Sequence, residues 1–168
     1  MRVRTAFPDD PRAVAALLQA SYGRLMRPAY PEALLERALP RITRPNPALL
    51  GSGRYHIAEE ADGRAIGCGG WSDRPPGGRP SGDGAAHIRH FATHPDWTGK
   101  GAGRAIYERC EAEAAAAGFR RFICFASRNG EGFYAALGFE RVREIEVPMG
   151  PDLLFPSVLM VRGIGAAQ

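Results

Sequence analysis

Three alternating glycines, Gly99, Gly101 and Gly103, lie where an extended stretch gives way to one rich in Ala, Glu and Arg. A helix that begins on such a loop leaves its first backbone N–H groups without intrahelical partners, and its dipole places about half a positive charge there. Glycine lets a phosphate approach the main chain without meeting a Cβ, and Lys100 and Arg104 add full positive charge. The stretch therefore predicts an anion site made largely of backbone, with a tight turn that binds nothing as the alternative.

Two common phosphate-binding motifs do not match this loop. A P-loop needs Gly-Lys followed by Ser or Thr, whereas Lys100 is followed by Gly101. A dinucleotide-binding fingerprint has its glycines after the first strand of a βαβ unit, whereas these lie past the middle of the chain. The surrounding residues must therefore identify the anion.

Length and composition limit the class of protein. With 168 residues the chain is long enough for one domain with its own core, and we expect residues 1–168 to form a single domain. No apolar run approaches 18 residues and the N-terminus is not basic and then apolar, so we expect no membrane span, no signal peptide and a cytoplasmic location. The net charge is +4, but the basic residues are scattered among 18 acidic residues and form no cluster, which disfavours nucleic acid as a partner.

Three widely spaced cysteines, Cys68, Cys110 and Cys124, form no Cys-x-x-Cys pair and have no interleaved histidine pattern. We expect them to be reduced and mostly buried, and we expect no metal site.

The elements that would position the glycine loop are predicted in the order β, α, α, β, β, β, α, β, α, β, β. Asp10 is expected to cap the first helix, Asp62-Gly63 to close a hairpin, and residues 73–84 to form a loop. The unbroken apolar run 122–125 predicts a strand buried on both faces. The expected strands span 2–7, 54–61, 64–72, 87–93, 120–126, 140–147 and 157–161, and the expected helices span 11–23, 32–41, 105–117 and 130–137.

Several stretches at the right separation carry a family resemblance. The run His94 to Arg104, the helix and strand after it, Asn129 to Tyr134, and Leu137 to Phe139 together resemble the GNAT family of acyl-CoA-dependent N-acetyltransferases. The resemblance implies a single-domain α/β fold with a mixed, mostly antiparallel sheet, flanked by helices, whose central strand pair is splayed. It also implies acetyl-CoA as co-substrate, no metal, and acetyl transfer to a primary amine. Thr98 departs from the pattern, because the family has Gln or Arg there.

Within this resemblance, the loop amides bind the pyrophosphate of coenzyme A and the strand before the loop pairs with its pantetheine arm. Asn129 matches a position that contacts the arm, with capping of the following helix as the alternative. The residues implied to bind the cofactor are Phe91, Ala92, Thr93, Gly99, Lys100, Gly101, Ala102, Gly103, Arg104 and Asn129.

Tyr134 matches the family's tyrosine near the cofactor sulfur. A phenol with a pKa near 10 keeps its proton at neutral pH, so it can donate that proton to a departing thiolate. Packing against Phe133 alone is the alternative interpretation of Tyr134.

The amine must lose a proton before it attacks, which calls for a general base. His87 is the leading candidate, because its pKa is suitable and it lies on the strand expected to bind the cofactor, on one face with Arg89 and four residues before Phe91. His90, expected on the opposite face, is a rival. Glu59, Glu60 or a water molecule could also accept the proton.

The acceptor is expected between the two N-terminal helices, the loop 73–84 and the loop 148–156, where five apolar residues are candidates to line a pocket. A small-molecule amine is the expected partner, with a protein N-terminus or lysine as alternatives. An alternative function is a module that binds acyl-CoA without catalysing a reaction. A homodimer is the other partner considered. The five pocket candidates are Tyr22, Tyr30, Trp71, Met149 and Phe155.

Overall fold

One mixed sheet of seven strands organises the computed structural model, which describes residues 1–165. The strands lie in the order β1-β2-β3-β4-β5-β7-β6. Among the strands described, β4 and β5 form the one parallel pair and all other neighbours are antiparallel. The predicted fold class is therefore confirmed; the last three residues of the predicted domain lie outside the described residues. The strands are β1 Arg2–Thr5, β2 Tyr55–Glu59, β3 Ala65–Ser72, β4 Ala85–Thr93, β5 Arg121–Ser127, β6 Glu140–Pro148 and β7 Leu154–Gly163.

Helices cover both faces of this sheet. On one face, the apolar side of α1 packs against Tyr55, Ile57 and Cys68. On the other, Ile106 of α4 belongs to a cluster with Phe122 and other sheet residues. The helices are α1 Pro11–Leu25, α2 Glu32–Ile42, α3 Pro47–Leu50, α4 Ala102–Ala116 and α5 Glu131–Ala136.

Helix bounds differ from the predicted ones where local signals were too weak to end a helix. Helix α2, expected over 32–41, contains Pro40 and ends one residue later at Ile42, and α1 continues past Gly23 to Leu25. Asp10 precedes α1 as expected but makes no capping hydrogen bond. Its carboxylate accepts instead from the backbone N–H of Phe7 at 2.6 Å and from the Arg4 guanidinium, which lowers the pKa of Asp10.

Strand β5 is buried on one face only, contrary to the predicted burial on both. Phe122, Cys124 and Ala126 are buried, whereas Ile123 and Phe125 are half-buried. Helix α4 packs on the first face, and Phe125 borders the cavity described below.

The two parallel strands separate along their length. Pairing between β4 and β5 runs from Ala85 opposite Arg121 to His87 opposite Ile123, and no pairing follows although both strands continue. The splayed central pair is therefore confirmed. It leaves an opening beside residues 88–93, of which Phe91, Ala92 and Thr93 were expected to follow the cofactor.

The three cysteines are buried and unpaired, as predicted, and burial raises the pKa of the Cys68 thiol to about 12. No three His, Cys, Asp or Glu side chains within residues 1–165 are grouped so that they could hold a metal ion. In the same part of the chain, every helix is too short or too polar to span a membrane.

Candidate active site

The glycine loop adopts backbone conformations that favour glycine at two positions. Gly99 has φ 74° and Gly101, which precedes α4, has φ 90°. The first main-chain bond of α4 is donated by Ala105 to the carbonyl of Gly101. The N–H groups of Ala102, Gly103 and Arg104 therefore lack intrahelical acceptors and can meet an anion.

The third glycine serves packing. A Cβ at Gly103 would lie 2.8 Å from Cζ of Phe133, so any other residue here would push this ring away from the helix start. The Thr98 hydroxyl donates to the carbonyl of Pro95 at 3.2 Å and is thus held within its own loop. The Lys100 ammonium lies 4.6 Å from the centre of the Trp97 ring.

Replacing Gly101 by alanine should lower the free energy of unfolding by about 1–2 kcal/mol, because a left-handed backbone places Cβ against the chain. Urea unfolding measures the change. The matched control is Gly132→Ala in α5, where a Cβ meets nothing within 4 Å and φ is not positive. That substitution should stabilise the protein by about 0.5–1 kcal/mol. Equal stability of Gly101→Ala and the wild type would show that this loop tolerates any residue.

Strand β4 contains a β-bulge at His90 and Phe91. Cys68 pairs with Ala92 and Gly70 pairs with Arg89, so two residues of β4 lie opposite Gly69 alone. His90 has φ 55°, the one positive value recorded for a non-glycine residue in 1–165.

The bulge changes which side chains share a face. Phe91 packs against the cluster that includes Ile88, and its ring centre lies 6.3 Å from that of Tyr134. The His90 ring instead lies near Tyr22 and bonds the carbonyl of Ile42, on the side of α1 and α2. Simple alternation of side chains along the strand places Phe91 on the same face as His87, and His90 on the opposite face. Both expectations are wrong, because the extra residue in the bulge reverses the alternation of side chains after Arg89.

Two tyrosines, the buried Tyr55 and the half-buried Tyr22, hold the carbonyl groups of the bulge. The Tyr55 hydroxyl donates to the carbonyl of His90 at 2.9 Å, and the Tyr22 hydroxyl donates to that of Phe91 at 2.8 Å. Burial raises the pKa of both tyrosines, so both remain donors. These bonds fix the strained residue, whose conformation needs such support.

The His90 ring is held in one tautomer. Its Nε2 lies 2.8 Å from the carbonyl oxygen of Ile42, which can only accept, so Nε2 carries the proton and Nδ1 keeps a lone pair. Burial lowers the pKa of His90 below its usual value. The imidazole is therefore neutral at neutral pH and can accept a proton at Nδ1.

A cavity of about 830 Å³ joins the loop, the bulge and the opening between β4 and β5. Every residue predicted to bind the cofactor lines it except Lys100. Thr98 and Tyr134 line it as well. The binding roles of these residues stay predictions.

Of the four side chains considered as general base, His90 alone borders this cavity among the residues described. His87 is 5% exposed, lies near the Phe125 ring, and has a pKa lowered by burial. Glu59, on β2, pairs with Arg2 and Arg4 of the edge strand β1, away from the cavity. Glu60 follows β2 in the hairpin turn.

Tyr134 is 7% exposed and touches the cavity beside the Cys124 thiol. Burial raises its pKa well above 10, so it holds its proton firmly. Asn129 also borders the cavity, and it caps neither the turn 128–130 nor α5. The capping alternative is therefore wrong, and the Asn129 amide is free of any recorded bond within residues 1–165.

Three of the five pocket candidates line the cavity, namely Tyr22, Met149 and Phe155. The Tyr30 hydroxyl instead bonds the carbonyl of Pro156 at 2.6 Å and supports the cavity from behind. Trp71 lies in the core on the α4 side and donates to Glu113.

Comparison with solved structures identifies proteins of the same fold. The chain resembles a GCN5-related N-acetyltransferase from Rhodopseudomonas palustris, with TM-score 0.77, 22% identity, and 96% and 94% of the two chains covered. It resembles the PaiA N-acetyltransferase of Thermoplasma acidophilum, in complex with coenzyme A, with TM-score 0.71, 15% identity, and 96% and 98% covered. A phosphinothricin acetyltransferase from Sinorhizobium meliloti, in complex with acetyl-CoA, gives TM-score 0.66, 22% identity, and 99% and 90% covered.

No curated protein matches the sequence. The family model for the acetyltransferase (GNAT) family, however, matches residues 17–139. That span is most of the chain and includes the glycine loop, the bulge and Tyr134. We conclude that this chain belongs to the acetyltransferase (GNAT) family.

Proposed function

We propose that this chain transfers the acetyl group of acetyl-CoA to the primary amine of a small molecule, as a single N-acetyltransferase domain. One observation carries the proposal: a single cavity connects unpaired amides at the start of α4 with the opening between β4 and β5. The amides suit a pyrophosphate, and the unpaired edge of β4 suits the amide groups of a pantetheine arm.

The bulge divides the cavity into two sides that suit two substrates. Phe91 and Tyr134 lie on the side of the glycine loop, which we assign to acetyl-CoA. His90 lies on the side of α1 and α2, which we assign to the acceptor. The thioester carbonyl would lie at the bulge, where backbone N–H groups near Phe91 polarise it.

Each chemical role then has one residue. His90 accepts a proton at Nδ1 from the bound ammonium, and the neutral amine attacks the carbonyl carbon. A C–N bond forms, the C–S bond breaks, and the Tyr134 hydroxyl protonates the departing thiolate. The proton that the new amide nitrogen loses restores the Tyr134 hydroxyl, and His90 releases its own proton to solvent. No covalent enzyme intermediate is needed, since the three cysteines keep raised pKa values.

The test combines calorimetry with an activity assay. We expect acetyl-CoA to bind at concentrations no higher than hundreds of micromolar. We also expect acetyl-CoA to release free thiol when the protein is incubated with it and a panel of amines and peptides. Absence of binding would contradict the cofactor assignment. Binding without thiol release from any amine would identify a module that holds acyl-CoA without chemistry, and release with peptides alone would replace the small molecule by a protein acceptor.

A further inference from the structure

The acceptor side of the cavity contains a positive charge for which the described residues supply no acidic partner. We propose that the accepted amine also carries an oxyanion, such as a carboxylate, and that Arg89 binds it. This inference rests on the acetyl transfer proposed above and adds the chemical class of the acceptor.

Arg89 lies one residue before the bulge and lines the cavity half-buried. Within residues 1–165 its guanidinium makes one recorded bond, from Nη1 to the hydroxyl of Ser72 at 3.0 Å. A guanidinium has five N–H donors, so most of them remain available to a ligand. Two parallel donors match the two oxygens of a carboxylate, which makes arginine well suited to this group.

Three other arginines near the sheet and the cavity are neutralised by protein carboxylates. Arg4 bonds Asp10 and Glu59, and Arg109 bonds Glu113. Arg41, which also borders the cavity, pairs with Asp152. Taking a guanidinium partly out of water without a counter-ion costs free energy. Arg89 bears this cost in the absence of substrate, and an anionic substrate would remove it.

The other charged residues that line the cavity are also positive. They include Arg44, for which no carboxylate partner is recorded in the described chain, and the lining contains no described aspartate or glutamate. Such a cavity attracts anions and repels polycations. A polyamine or a lysine-rich peptide would enter without any acidic group to bind its additional charges.

Arg89 and His90 are consecutive, and both line the cavity. An acceptor that contacts both therefore needs its amine and its oxyanion within a short distance of each other. Amino acids and short aminophosphonates have this arrangement. The apolar neighbours Met26, Met149 and Phe155 would contact the remainder of such a molecule.

The experiment compares matched acceptors with acetyl-CoA and measures free thiol. Methionine and phenylalanine are each paired with the corresponding carboxamide; 2-aminoethylphosphonate tests a different oxyanion, and spermidine tests a polycation. The carboxamides have less basic amines, which favours their reaction, so a preference for the acids cannot come from amine ionisation. We expect kcat/KM to be at least about 10-fold higher for at least one of the amino acids than for its carboxamide and for spermidine.

Arg89→Gln should remove that preference, by raising KM for the oxyanionic amine about 10- to 100-fold, while the carboxamide keeps its KM. Arg89→Lys should restore part of it. The control is Arg12→Gln on the exposed side of α1, which makes the same change in net charge at an arginine that lies outside the cavity and has no partner recorded among residues 1–165.

Each result decides between the two proposals. Acetylation of carboxamides or spermidine as readily as of acids, or an undiminished preference in Arg89→Gln, would overturn the oxyanion inference and leave acetyl transfer intact. Binding of acetyl-CoA with no acetylation of any amine would overturn the proposed function, and this inference with it.

Discussion

Tyr134→Phe should lower kcat about 100-fold, because the leaving thiolate then departs without a proton donor. The hydroxyl is held in its protonated form by burial, which raises the pKa of Tyr134 well above 10. The ring contacts with Phe133 and Phe139, at 5.0 and 5.5 Å between centres, do not involve the hydroxyl and should persist. We therefore expect the affinity for acetyl-CoA, measured by calorimetry, to change less than about threefold.

A second buried tyrosine supplies the control. Tyr107 is 1% exposed, packs against Phe139 as Tyr134 does, and accepts a bond from Arg162 at 2.7 Å outside the cavity. Tyr107→Phe should cost about 1 kcal/mol of stability and leave kcat unchanged. An unchanged kcat in Tyr134→Phe would exclude Tyr134 as the proton donor. A large loss of acetyl-CoA affinity would indicate a structural role instead.

The glycine loop was predictable from sequence because its signals are local. The spacing of Gly99, Gly101 and Gly103 alone indicated a helix start, and the family resemblance of the later stretches suggested which anion it meets. Helix ends were less predictable. Pro40 lies within α2 although proline disfavours a helix interior, and burial of Leu35 and Ala38 in the cluster beneath this helix outweighs that preference.

The bulge at His90 could not be placed from strict alternation, which assigns every second residue to one face. One extra residue reversed the faces for the rest of β4, and with them the order of the candidate bases. A signal was present in the neighbouring strand. Gly67, Gly69 and Gly70 lie within β3, and a Cβ at Gly69 would overlap the Phe91 ring. Glycine inside a strand indicates a bulge or a close approach, but the sequence does not show which partner strand carries the extra residue.

The choice of base between His90 and His87 follows from this reversal. Both lie on β4 and both have pKa values lowered by burial, so their ionisation alone does not separate them. Their surroundings do. His90 borders the cavity with its tautomer fixed by Ile42, whereas His87 lies outside the cavity beside Phe125. The sequence-based choice of His87 and the proposal for His90 therefore give opposite expectations for the same pair of variants.

His90→Asn should lower kcat about 100-fold at pH 7, because the bound ammonium loses its proton acceptor. Asparagine is chosen since it tolerates the positive φ of 55° at this position. In the wild type, burial disfavours the imidazolium, so kcat should stay constant down to about pH 6.5 and fall only below it. In the variant, kcat should rise continuously from about pH 6.5 to about pH 9, as the amine loses its proton without help.

His87→Asn makes the same change outside the cavity and should keep the wild-type profile. A low kcat in His87→Asn with an unchanged His90→Asn would assign the base to His87, and loss in neither would assign proton removal to water.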